Sequence, residues 1–122
     1  AEDADVARLA AAGFNDHAVR LGMADVRMAI SIPTDTAFLC YRAIEGVQQT
    51  YGSWPKFREE LGVTMDEVME LKALADPRRH GGLVSLTEEQ RIKALRLAHR
   101  VILGHAGIVW ERLPPQARGT TS

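Results

Sequence analysis

Three adjacent side chains that can carry charge, Arg78, Arg79 and His80, sit in the stretch LADPRRHGG between an Asp-Pro and two glycines. Guanidinium is a planar, bidentate anion donor and histidine changes charge near neutrality. The trio could therefore bind a phosphate-bearing ligand or an acidic partner. The plainer alternative is a solvated turn whose basic residues answer the negative C-terminal end of the helix before it. Loops of this kind carry function more often than helix faces do.

The other titratable groups offer less. His99 and His105 are six residues apart, not the four of a chelating pair on one helix face, and no Glu-x-x-His occurs. No metal site and no cofactor is expected. The single cysteine, Cys40, lies in an apolar run and reads as a small core residue rather than a nucleophile; alone, it can form no intrachain disulfide. His99, between Leu95 and Ile102, reads as a core or interface histidine. Glycine-rich phosphate loops of the recognised spacings are missing, and Ser, Asp and His are too scattered to argue for a triad. With 6% aromatic residues and no basic groove around them, Trp54 and Trp110 read as core or subunit interface rather than a base-stacking platform.

A chain of 122 residues is one domain by length, and 46% hydrophobic with 25% charged residues is ordinary for a globular protein. The net charge of −1 argues against a nucleic-acid binder that works mainly by neutralising phosphates. No apolar stretch is long enough to span a bilayer and no secretory pattern opens the chain, so a cytoplasmic location is expected. The opening AEDADV lacks a methionine, which suggests a piece of something longer.

The elements that must position these groups are helical. Alternating strand patterns are absent and no internal repeat occurs, whereas helix starts and stops are plain. A short helix is expected from the N-terminus to Gly13. A second, capped by Asn15, should run to about Ser31, where Pro33 closes it. Thr34 or Asp35 should start a central helix ending near Tyr51, with Gly52 as a left-handed cap. Ser53 caps a short helix to Gly62. The capping box Thr64–Glu67 opens one over 65–75, and the box Thr87–Gln90 opens the longest, about 88–112. On that last helix Ile92, Leu95, His99, Ile102, Ala106 and Val109 are expected to share the buried face. Ile44, Val47, Leu71, Leu95 and Ile102 are the expected core, and 116–122 a loose tail. The fold class is all-α, a bundle of four to five helices in one domain over 1–122.

The order YRAIEGVQQTYG, WPKFREELGV, MDEVMELKALAD, PRRHGG and TEEQRIKALRLAHRVI resembles the HEPN helical superfamily, in particular the HEPN-like domains at the C-terminal end of longer bacterial proteins. The resemblance covers roughly residues 15–112 and rests on helix order and the "YR-I-E" and "RHGG" landmarks. It implies an up-and-down bundle, commonly dimeric, often tied to RNA cleavage or nucleotide binding in bacterial defence. Catalytic members carry an Arg, four to six residues, then a His. Here that spacing falls on Arg100 and His105, but the usual polar residue after the Arg is Val101. Members often place an Arg-His pair where Arg79 and His80 stand.

The expectation is therefore a dimerisation and interaction module, with Arg78, Arg79 and His80 facing a phosphate-bearing ligand or a partner. The alternative is a metal-independent ribonuclease in which His80 or His105 is the acid/base and an arginine, Arg100 for the His105 pairing, stabilises the developing charge. Expected partners are a second copy, an upstream domain or protein partner, and RNA or a nucleotide. A homodimer is expected because Leu97, Val101 and Ile108 lie off the main stripe of the last helix, which is then apolar on two sides.

Overall fold

The computed structural model describes residues 2–82 and 85–118. It is all-α. Six helices, α1 (Glu2–Asn15), α2 (His17–Ser31), α3 (Thr36–Tyr51), α4 (Trp54–Leu61), α5 (Met65–Arg79) and α6 (Glu88–Arg112), are joined by short connections, with 3-10 turns at Pro33–Asp35 and Pro115–Arg118. No strand occurs among the described residues.

Local chemistry explains most of the boundaries. The Thr64 and Thr87 hydroxyls accept from the backbone N–H of Glu67 and Gln90, whose side chains reach back to the cap N–H, so both capping boxes are complete. Ser53 accepts from the Lys56 N–H at the start of α4. Gly52 and Gly62 end α3 and α4 in the left-handed conformation.

Three boundaries differ from expectation. α1 runs through Gly13 to Asn15, whose side chain donates back to the Ala11 carbonyl at 2.8 Å and so closes α1 instead of opening α2. Asp16 takes the capping role, accepting from the Val19 N–H at 3.0 Å. α5 does not stop at Asp76-Pro77. A proline forfeits one bond but leaves its own carbonyl available, and the Asp76 and Pro77 carbonyls go on to accept from His80 and Gly82. The expected loose tail is ordered through Arg118, whose guanidinium lies 5.5 Å over the Trp110 ring and donates to the Trp110 and Glu111 carbonyls. The remainder of that segment, 119–122, lies outside the described residues.

α3 is central and packs against α2, α4, α5 and α6. Its Ala37, Leu39, Cys40, Ile44 and Val47 are buried together with Phe57 of α4, Leu71 and Ala75 of α5, and Ala94, Leu97, Ala98 and Val101 of α6. A smaller cluster of Ala12, Val19, Ala43, Ile102 and Ala106 ties α1 and α2 to the other side of α6. Burial pushes the Cys40 thiol up to about 12, so it is a core residue with no thiolate to offer.

Of the five expected core residues, Ile44, Val47, Leu71 and Ile102 are buried, while Leu95 only edges the main core. His99 is exposed, contrary to its expected place on the buried face of α6. That face sits about one residue-step round the helix, on Ala94, Leu97, Ala98, Val101 and His105. Close packing of α6 on α3 selects alanines there, and alanines carry little hydrophobic signal. Leu97 and Val101 are thus buried within the chain itself, and their apolar character needs no second copy to cover it.

Candidate functional site

The RRHGG turn is the end of α5. Gly81 adopts φ +83°, its N–H donates to the Arg78 carbonyl at 3.0 Å, and the Gly82 N–H donates to the Pro77 carbonyl at 2.7 Å. That pair of bonds is a Schellman cap, which requires a residue tolerant of left-handed geometry at Gly81. A Cβ on Gly82 would meet the Pro77 carbonyl oxygen at 2.8 Å. Both glycines have a structural role. Gly81→Ala is expected to cost about 1–2 kcal/mol in urea unfolding, the penalty of the left-handed region for an L side chain; no loss would mean that the cap is not formed.

The turn's arginines are engaged within the chain. Arg78 Nε donates to Asp35 Oδ1 at 2.6 Å, joining the end of α5 to the start of α3. Arg79 Nη1 donates to Asp76 at 3.0 Å, with Glu45 4.0 Å away, and its guanidinium lies 5.2 Å over the Tyr41 ring. Tyr41 in turn stacks on Trp54. His80 caps α5 and is exposed. Asp35, Asp76 and Glu45 share the surface with these cations, which opposes a phosphate at the same place.

Arg100 and His105 diverge. Five residues along an α-helix turn a side chain by roughly 140°. Arg100 Nη2 reaches outward to Glu67 Oε1 at 2.8 Å, and that contact, with the Thr64 N–H, holds the Glu67 carboxyl below the usual range. His105 points inward and is 2% exposed.

His105 is buried with both ring nitrogens engaged. Its Nε2 lies 3.2 Å from Asp16 Oδ2 and its Nδ1 2.8 Å from the Tyr51 hydroxyl. A carboxylate can only accept, so Nε2 carries the hydrogen and Nδ1 of the neutral ring accepts from the phenol. Burial, above all, lowers the His105 pKa and raises that of Tyr51. Asp, His and Tyr in line have the connectivity of a proton relay. Asp16, one end of that line, borders the groove between α2 and α3, whereas His105 and Tyr51 line neither that groove nor the one between α5 and α6.

Two grooves remain. One, of about 720 Å³, lies between α5 and α6 with Leu71, Leu74 and Leu97 in its lining, and is strutted across by the Glu67–Arg100 and Glu70–Lys93 ion pairs. The other, of about 680 Å³, lies between α2 and α3. Ala18, Gly22, Ala43 and Gly46 contribute small or absent side chains to it, and Arg42, bonded to Asp25 at 2.6 and 3.1 Å, with Glu45 and Gln49 forms its polar edge. Leu21, 51% exposed, forms part of its wall, and one heptad on Met28 is 45% exposed. Arg42, Glu45 and Gln49 are legible in the sequence as one polar edge of α3. The small residues opposite them carry no pattern that periodicity detects. Among the described residues no group of three or more His, Cys, Asp or Glu could hold a metal ion, and no helix is long and apolar enough to cross a membrane.

No curated protein and no solved structure matches the chain. Residues 6–105, which include α2 to α5 and all of α6 to His105, match the family model described as "Domain of unknown function (DUF8168) C-terminal domain", and the chain belongs to that family.

Proposed function

We propose that this chain is a helical interaction module, HEPN-like in organisation, that pairs with a second copy through its α2–α3 face in a bacterial cytoplasm. The observation that carries the reading is the exposed ridge of Leu21 and Met28, of which Leu21 forms one wall of a groove floored by Ala18, Gly22, Ala43 and Gly46. On a twofold axis the ridge of each copy lies in the groove of the other, and every contact occurs twice. Fully burying an apolar side chain of this size contributes about 1.5–3 kcal/mol, so four half-exposed ones supply a useful fraction of a micromolar affinity. Arg42 and Glu45, three residues apart on α3, give the groove both signs of charge and make it complementary to itself. The family's description as a C-terminal domain agrees with a module that serves a neighbouring domain.

The divergence of Arg100 and His105 favours this reading over a ribonuclease, and RNA incubated with the purified protein should stay intact. An acidic partner or phosphate at Arg78, Arg79 and His80 would have to displace the carboxylates already there. Light scattering at micromolar concentration should therefore give the mass of a dimer, and Leu21→Glu should weaken pairing by roughly a hundredfold or more, because a carboxylate would be buried without a partner. A wild-type protein that stays monomeric, or a dimer indifferent to both Leu21→Glu and Met28→Glu, would overturn the assignment.

A further inference from the structure

We infer that His105 is an acid-sensitive latch that holds the joint between α1 and α2 to the end of α3 and to α6, and that α1 is released when the latch opens. The joint is one residue long. α1 ends at Asn15, α2 begins at His17, and Asp16 between them uses a single oxygen, Oδ2, to cap α2 at the Val19 N–H and to accept from His105. From the other side Tyr51, the last residue of α3, donates to the same imidazole. One ring thus joins three elements that are otherwise distant in sequence.

α1 also packs on α6, on α2 and on the Pro115–Arg118 turn. Among its described side chains, Ala12 is the one buried in the satellite cluster, with Leu9 half-buried against it. Val6 and Phe14 face solvent, Phe14 at 86% exposure. Arg20 adds a 3.3 Å bond to the Gly13 carbonyl. A helix held by small side chains and a few polar contacts belongs to the low-stability end of a structure, where local opening precedes global unfolding.

Protonation acts on the latch through geometry. A second hydrogen on the ring would sit on Nδ1, where the Tyr51 hydroxyl already points its own, so the phenol must turn its hydrogen away. The groups that bear on the ring are Asp16 from the joint, which favours the imidazolium, and Arg112 of α6, which opposes it; Glu60 of α4 acts on Tyr51. Burial outweighs the help of Asp16 and leaves the His105 pKa lowered. With the closed form holding its proton less tightly than the open one, closure loses stability as pH falls below the ordinary histidine value of 6.5, and the loss is complete below the depressed value. His80 and His99 are exposed; His17, also exposed, lies at the joint with its Nδ1 3.1 Å from Arg20 Nη2.

Hydrogen exchange of the intact chain, corrected for the chemical rate at each pH, tests the latch. Between about pH 7.5 and pH 5 the protection of residues 6–15 should fall roughly fivefold more than that of α3, the effect of one ordinary hydrogen bond lost. In His105→Gln, which keeps a donor towards Asp16 and cannot take up a proton in this range, that difference should vanish. Asp16→Asn keeps a capping acceptor but removes the charge that favours the imidazolium, so its response should persist and extend to lower pH. Equal loss across α1 and α3, an unchanged response in a folded His105→Gln, or a flat response in Asp16→Asn would each overturn the proposal.

Discussion

Phe57→Ala should remove about 3–5 kcal/mol from the unfolding free energy, the range for emptying a fully buried aromatic site. Phe57 is the one buried residue of α4, and its ring is wholly inaccessible. It meets Trp54 edge-on at 5.5 Å and Tyr51 at 6.2 Å, so truncation forfeits two aromatic contacts as well as buried area. A helix of eight residues has little stability of its own and depends on such an anchor. Unfolding in urea gives the value, and a loss below about 1 kcal/mol would mean that α4 is not docked as described.

Ile44→Ala is the second large effect, about 2–5 kcal/mol by the same argument, because Ile44 is completely buried on the helix that every part of the main core touches. Leu95→Ala should cost clearly less, since Leu95 is half-buried at the margin of that core. The two substitutions remove similar volumes, so their difference reports depth of burial. Equal losses would place Leu95 on the buried face of α6, where periodicity alone first put it.

That displacement of α6 shows where the sequence stops being legible. Element type and most ends follow from short-range chemistry: two capping boxes, a serine cap and left-handed glycines act within four residues and leave their mark in the string. The rotation of α6 is set instead by its fit to α3, and the residues that decide it, Ala94 and Ala98, are too small to announce themselves. At Pro77 the local rule was overridden because the bonds that continue α5 use carbonyls a proline still possesses.

The candidate site divides the same way. Arg78, Arg79 and His80 stand out by type, yet apart from Asp76, three residues before Arg79, their partners Asp35, Glu45 and Tyr41 lie more than thirty residues away and cannot be read from spacing. Arg100 and His105 share a spacing but not a face. The connection of Asp16 to His105 joins opposite ends of the chain, and its one trace in the sequence is a capping residue three positions before a buried valine. The interaction face is harder still, because it is defined by small side chains on α2 and α3 rather than by any conspicuous residue.

Hydrogen exchange compared at dilute and at concentrated protein tests the central claim, pairing through the α2–α3 face, most directly. Slower exchange with rising concentration should be confined to α2 around Leu21–Met28 and to α3 around Arg42–Thr50, and it should disappear in Leu21→Glu. Protection that does not depend on concentration, or that appears along the α5–α6 groove instead, would contradict the account.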